Sequence, residues 1–404
     1  MRASLVVPVL LAVSTTVHGA PLRLTLEEAT ARAVQLSPAV ALAKLAVEEK
    51  RFSARAVVSQ FFPKVSGTAS YLHFSRALGT TLTGPRGAPI SIAFLDQDQV
   101  IATAIATQPL TPLFSLWMLL DAARADEQIA RAQVDAAGSE AVYDVERAFW
   151  ALLIAQRQHA QPVDEPAPVA ATSADERQRR RERLKQRLEL ESQLDELTAQ
   201  LDELIGEPAT TTLVLVAPTT MPPPLPSFDE SFARLQQNCP ALREANETIR
   251  KAQAATRVAA MELGPEIAAI GGWAYQHAIP VVPDNFGFVG VQASWTLLDF
   301  GKAYHELRAR QAQLAQARLA RRVAGALVEG ELRKALRTIA LDDRLLRLQA
   351  DDVTALRALP PNGETTRALA DAELGRLESE RDLRLAHAAL QKLCAKTPTP
   401  EAKP

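Results

Sequence analysis

The chain has 404 residues, with 45 Lys+Arg against 47 Asp+Glu and a formal net charge of −2. That balance gives no reason to expect a nucleic-acid partner, and the length allows two or three ordinary domains. The two cysteines, Cys239 and Cys394, match no zinc or redox spacing, so both read as buried or free thiols.

The N-terminus reads as a secretory leader over residues 1–19. Arg2 supplies the positive start and Leu5 to Val13 the short apolar run, and Val17-His18-Gly19 sets cleavage near Gly19 or Ala20. Beyond it no apolar helix reaches the ~20 residues that a bilayer span needs. Membrane strands of ~10 alternating residues would escape that test.

The mature chain then says nearly the same thing twice. Thr25-Leu26-Glu27-Glu28 recurs as Ser227-Phe228-Asp229-Glu230, Pro38-Ala39-Val40 as Pro240-Ala241-Leu242, and Phe62-Pro63 as Gly264-Pro265, all in one register 202 residues apart. Such a period marks a duplicated unit. The expected division is a first repeat over residues 20–207, a linker over 208–225, a second repeat over 226–396 and a disordered tail over 397–404. Each repeat opens on a capping box, Thr25 with Glu28 and Ser227 with Glu230, in which hydroxyl and carboxylate satisfy each other's orphan backbone N–H groups. Pro38 and Pro240 break the first helix.

After Pro63 the period changes to two. Val65, Gly67, Ala69 and Tyr71 fall on one face, and Lys64, Ser66, Thr68 and Ser70 on the other, which predicts a two-faced strand. Residues 75–97 have loop composition, with Gly79, Gly84, Pro85, Gly87 and Pro89. Ile101 to Thr107 reads as a strand, followed by a long helix from about Leu113 to Ala160. The Pro-rich turn from Gln161 to Ser173 leads into a helix with a capping box at Ser173 and Glu176. There Leu190, Leu194, Leu197, Leu201 and Leu204 recur at coiled-coil spacing. Leu213 to Val216 is a short strand within the linker. The second repeat predicts strands over Ile267 to His277 and Phe288 to Trp295. In the latter, Val289, Val291, Ala293 and Trp295 oppose Gln292 and Ser294. A long helix from Lys302 to about Leu359 follows, with Val328, Leu332, Leu336 and Ile339 on one side. The turn Pro360-Pro361-Asn362-Gly363 then leads into a return helix, Thr366 to Leu393. Gly363 is expected to take a positive φ in that turn.

Several segments carry a family resemblance in their order and spacing. They are Leu24-Thr25-Leu26-Glu27-Glu28-Ala29 with Ser37-Pro38-Ala39-Val40, Phe62-Pro63-Lys64-Val65, Gln108-Pro109-Leu110, Leu201 to Pro208, and Ser294-Trp295-Thr296-Leu297-Leu298-Asp299-Phe300-Gly301-Lys302. Together they resemble the outer membrane efflux proteins, the TolC-like channels, over nearly the whole mature chain. The resemblance implies a mainly α fold with a small β part. Long helical hairpins would build a periplasmic α-barrel, and each chain would give four strands to a trimeric transmembrane β-barrel. Physics wants the same closure. Four strands cannot close a barrel, whereas three chains supply roughly twelve. A helix of ~55 residues reaches about 80 Å, far more than a membrane core, so it must project into the periplasm.

The implied function is a passive conduit of a tripartite efflux or type I secretion system. Its partners would be a periplasmic adaptor, an inner-membrane RND or ABC transporter and outer membrane lipid. No enzymatic activity, cofactor or metal is expected. His73, His159, His277, His305 and His387 are scattered without ligand spacing. The tip pattern Gly363-Glu364-Thr365-Thr366 before Ala368-Leu369-Ala370-Asp371 makes Asp371, Gly363 and Thr366 the pore-entrance candidates, with Asp371 as the acidic ring. The basic run with Arg177, Arg180 and Arg181 lies near the expected first tip and is the adaptor-contact candidate. Tyr71, Trp273, Tyr275 and Trp295 are candidates for an interfacial aromatic girdle. Two other readings stay open: a degenerate outer membrane relative that no longer docks a pump, and a soluble coiled-coil binding protein.

Overall fold

The computed structural model describes residues 22–394, apart from 77, 86, 88, 96, 161–173, 209–212, 219, 221–222, 278–282 and 361. The leader, most of the Pro-rich first turn with Ser173, and the tail at 397–404 lie outside the described residues.

The first half runs β1 (Leu22–Thr25), α1 (Leu26–Leu36), α2 (Pro38–Ser59), β2 (Lys64–His73), β3 (Leu78–Thr83), β4 (Pro89–Leu95), β5 (Asp98–Pro109), α3 (Pro112–His159) and α4 (Ala174–Ile205). The short strand β6 (Leu213–Val216) follows. The second half runs α5 (Phe228–Asn238), α6 (Pro240–Met261), β7 (Glu266–His277), β8 (Asn285–Ser294), α7 (Lys302–Arg357) and α8 (Gly363–Leu393). The order of two helices, strands, long helix and return helix thus occurs twice.

Local chemistry sets these boundaries. Thr25 Oγ1 accepts from the Glu28 N–H and Glu28 accepts from the Thr25 N–H, both at 3.2 Å, which closes the capping box of α1. At the equivalent place Ser227 Oγ accepts from the Glu230 N–H at 3.3 Å. Pro38 and Pro240 each occupy the first position of a new helix, where the missing N–H costs nothing.

Two compact units cut across the repeats. One comprises Met1–Ala41, Ala137–Ser231 and Leu332–Pro404, the other Leu42–Ala136 and Phe232–Glu331.

The first unit holds the apolar core. Leu24 of β1, Ala29 and Ala33 of α1, Phe149, Trp150 and Leu152 of α3, and Leu201 and Ile205 of α4 are fully buried together. The leucine stripe of α4 behaves as its spacing predicts, because Leu194, Leu197 and Leu204 pack against the same cluster. On α7 the buried residues Leu332, Ile339, Leu346 and Val353 recur every seven positions, as do Leu383 and Leu390 on α8. A repeat of seven is the coiled-coil seam, and it extends the apolar side read from the sequence beyond Ile339 to Leu346 and Val353, about four further turns. β1 pairs in parallel with β6, Leu22 opposite Leu213 through Thr25 opposite Val216. No alternation announced β1, since four residues are too few to display a period. It is held by burial of Leu24 and by its partner strand.

Charges penetrate this core. Arg384 of α8 lies over the Trp150 ring, bonds Glu380 within its own helix and donates to the backbone carbonyl of Thr220. Glu146, one turn before Trp150, is pushed up to about 7 by burial, against the opposing pull of Arg384. Asp202 is fully buried, and neither carboxylate oxygen has a hydrogen-bond partner. Burial and the charge of Glu207 push it up to about 6.

The second unit holds the strands. The helices α3 and α6 are tied there by exposed ion pairs, Asp121 with Arg250, Asp126 with Lys251 at 2.8 Å and Asp135 with Arg243 at 2.6 Å. Exposed pairs contribute only about 0–1 kcal/mol each, so they set register more than stability. Residues 75–97, read as loop, contain the antiparallel hairpin β3–β4, with Gly79 opposite Ala93 and Thr83 opposite Pro89. Gly and Pro dominate the composition because they sit at its ends and turn. They hid the Thr/Ile/Leu strands between them.

The buried carboxyls make a pH prediction. The folded chain keeps the Glu146 proton at pH values where the unfolded chain, with a carboxyl pKa near ~4.3, has released it. Stability therefore falls as pH rises from about 4.5 to about 7. Glu146→Gln should remove a fall on the order of 2 kcal/mol, seen as a higher melting temperature than wild type at pH 8 and little difference at pH 4.5. His387, which burial pushes down, acts in the opposite sense, and the comparison with wild type isolates Glu146 from it.

Candidate functional site: a two-faced sheet and the turn that follows it

The strands form a four-stranded antiparallel sheet in the order β2-β5-β7-β8. β2 and β8 are its edges, and neither outer edge has a strand partner among the described residues. The pairing is regular: Lys64 opposite Thr107, Val100 opposite His277, and Glu266 opposite Ser294. Because directly opposed residues share a face, the registers sort every side chain. One face carries Val65, Gly67, Ala69 and Tyr71 of β2, Trp273 and Tyr275 of β7, and Val289, Val291 and Ala293 of β8. The other is mixed: it carries Ser66, Thr68 and Ser70 of β2, Gln99 and Thr103 of β5, and Gln292 and Ser294 of β8, together with the apolar Leu72, Ile101, Ile105, Ile270, Phe286 and Phe288. Val289 is 91% and Val291 71% exposed. On the mixed face the Thr68 and Thr103 hydroxyls meet at 2.7 Å.

The four aromatic candidates divide. Trp273 and Tyr275 stack on the apolar face with centroids 6.3 Å apart. Tyr71 leaves its ring exposed and donates its hydroxyl to Asp98 Oδ1 at 2.5 Å, which His73 Nδ1 also meets at 2.8 Å. Trp295, expected on the strand, lies one residue past the end of β8. It opens a turn that the sequence marked only as a motif. Asp299 accepts from the Gly301 N–H at 2.9 Å and the Ala303 N–H at 2.8 Å, which holds its carboxyl below the usual range and caps α7. Phe300 and Gly301 both have positive φ, 52° and 86°. A phenylalanine in that region is rare, and the Asp299 cap on both sides of it explains why it persists. Leu297, Leu298 and Phe300 are left almost fully exposed. The signal that could have found Asp299 was an acidic residue just upstream of the long helix, although it stands two residues before Gly301, the N-cap position that a start at Lys302 defines.

The entrance candidates sit together at the start of α8. Gly363 does not have the positive φ expected of it, and this is a correction. Asn362 does the work instead: its side chain accepts from the Thr365 N–H at 2.7 Å and Thr365 Oγ1 accepts from the Asn362 N–H at 2.8 Å. That reciprocal cap starts the helix directly, so Gly363 is its first residue. Thr366 Oγ1 bonds back to the Asn362 carbonyl at 2.8 Å. Asp371 lies two turns on and is exposed. Beside it Arg357 of α7 pairs with Glu373 at 2.6 Å. Of the basic run on α4, Arg180 and Arg181 are exposed, and the Arg177 side chain lies outside the described residues. The exposed Leu184 and Leu188 follow one and two turns later.

Among the described residues no helix is long and apolar enough to cross a membrane. The combination of such a sheet with long helical hairpins is the TolC-like fold. Residues 30–182 match the model of the outer membrane efflux protein family. Solved structures agree in fold. The outer-membrane channel OprN matches with a TM-score of 0.69 at 15% identity, over 92% of this chain and 89% of that one. The CmeC outer membrane channel of Campylobacter jejuni gives 0.70 at 12%, over 94% and 87%. The open-state MtrE outer membrane channel of Neisseria gonorrhoeae gives 0.68 at 15%, over 94% and 91%. No curated protein sequence matches the chain. The resemblance read from the sequence holds, to the family over residues 30–182 and to the fold over nearly the whole chain.

The face assignment is directly testable. Arg at a lipid-facing midplane position of a barrel costs about 2–4 kcal/mol. Val291→Arg should sharply lower the yield of assembled protein in outer membrane fractions, while Gln292→Arg, on the opposite face, should leave it near wild type. Equal yields would mean that the faces are reversed or that the strand is not in lipid.

Proposed function

We propose that three copies of this chain close a β-barrel in the outer membrane and act as a passive conduit from the periplasm to the outside. The observation that carries this reading is the sheet with one apolar face, one mixed face and two open edges. In lipid an unpaired strand edge is not tolerated, and pairing β8 of one copy with β2 of the next satisfies every edge at once. Cyclic closure of one repeated contact makes a ring. The long hairpins α3–α4 and α7–α8 would then continue the passage on the periplasmic side. Transport energy would come from an inner-membrane RND or ABC pump through a periplasmic adaptor, in an efflux or type I secretion assembly. Arg180 and Arg181, with the exposed Leu184 and Leu188 beside them, are the surface offered for adaptor contact. A degenerate relative that keeps barrel and tube but docks no adaptor is the second reading. The proline-rich first turn favours it.

Native mass spectrometry of the detergent-extracted protein should give a trimer, and a stable monomer would overturn the barrel. Crosslinking in cells followed by pull-down of the tagged protein should bring a periplasmic adaptor with it. A trimer that captures none would favour the second reading.

The entrance reading gives a further test. Three copies of Asp371 around one axis would raise the local cation concentration through field focusing. Asp371→Ala should weaken cation preference in single-channel recordings without loss of trimer. Asp352→Ala, on α7 away from the tip, should change neither. Unchanged selectivity in both would make Asp371 an ordinary surface carboxylate.

A further inference from the structure

The face of the sheet that carries Ser66, Thr68 and Gln292 also carries aliphatic side chains, Leu72, Ile101, Ile105 and Ile270, and at one place aromatic ones. Phe286 and Phe288 of β8 project from it, opposite Ala274 and Gly272 of β7. They are the only aromatic rings on that face among the described residues. Phe288 owes its position to Gly272. A Cβ at Gly272 would lie 2.6 Å from the Ala104 carbonyl oxygen and 3.0 Å from Phe288 Cζ, so only glycine leaves room for the ring to lie against the sheet. Phe286 and Phe288 stay 41% and 37% exposed nonetheless. Residues two apart on a strand stand roughly 7 Å apart on one side, a spacing that lets a flat ring rest across both. Asp284, two residues before Phe286 in the bend that leads into β8, is exposed. Its backbone carbonyl accepts from the Gln276 N–H at 2.8 Å, which continues the β7–β8 ladder to that point. Two π-faces followed by a carboxylate, on a wall that also carries hydroxyls, amides and the aliphatic Leu72, Ile101, Ile105 and Ile270, make a complementary surface for one kind of solute.

We infer that Asp284, Phe286 and Phe288 form a binding shelf on the pore-facing wall for organic cations that carry an aromatic group. This rests on the channel reading above, because only a closed barrel turns this face into a lumen. The carboxylate attracts the charge, and the rings offer stacking and cation–π contact. In the closed ring β8 is the seam strand. The shelf of one copy then borders the Ser66, Thr68 and Ser70 side of the next, whose hydroxyls leave it open to solute.

The test is single-channel recording in planar bilayers with benzyltrimethylammonium added to the outer side, and tetramethylammonium as the probe without a ring. Wild type should show blocking events with the aromatic probe that outlast those with tetramethylammonium. Phe286→Ser and Asp284→Asn should each shorten them about threefold, the scale of an exposed cation–π contact. Phe286→Tyr should restore the wild-type dwell time. Phe286 is chosen over Phe288 because it does not lie against Gly272, so its removal spares the sheet. Open channels of normal conductance whose dwell times ignore both substitutions would overturn the shelf and leave the channel standing. A wild-type protein that inserts no channels would overturn both.

Discussion

A strand edge in lipid has nowhere to put its N–H and C=O groups, and this constraint organises the molecule. The sheet β2-β5-β7-β8 is regular through its interior and open at both ends. A soluble protein would cover such edges with a helix, a bulge or charge. Here the edge strands are long, and β8 carries Val289 and Val291 nearly bare to solvent on one side. In the proposed barrel that surface meets lipid and each edge meets another strand. The duplication answers part of the need, since each repeat supplies two adjacent strands of the sheet, and neighbouring copies would supply the rest.

The same division of labour explains where the hydrophobic core sits. In the proposed barrel the strands need no internal core, because one face would meet lipid and the other the lumen. The chain concentrates its close packing in the first unit, around Phe149, Trp150, Leu201 and Ile205, and in the seven-residue seam of α7. The carboxyls Glu146 and Asp202 lie in that packed region, which is why burial raises their pKa values. An exposed helix surface would leave them ordinary.

What could be read from the sequence follows from how strongly each feature is written there. Two-faced strands state themselves through alternation, and the faces of β2 and β8 agree with the observed registers except at Trp295, which lies past the end of β8. Long helices free of proline, and proline at the start of α2 and α6, are equally plain. Features that depend on partners distant in the chain were not legible. β1 exists because β6 pairs with it, and four residues show no period. The β3–β4 hairpin was masked by the glycines and prolines of its own turns. Gly363 invited a positive φ, yet the reciprocal cap between Asn362 and Thr365 removed the need for one. The Asp299 cap and the left-handed pair after it were hidden inside a motif that suggested family but not geometry. The phenylalanine shelf was invisible for a different reason: only the cross-strand register reveals that Phe288 meets Gly272.

The β3–β4 hairpin belongs to the first repeat alone. It forms its own small sheet and shares no ladder with the other four strands. Its departure point is fastened separately, where Tyr71, His73 and Asp98 join the ends of β2 and β5. Sequence drift, insertion or deletion within it therefore leaves the ladders of the four-stranded sheet untouched. The duplicated strands keep no such freedom, because every position in them answers to a neighbour.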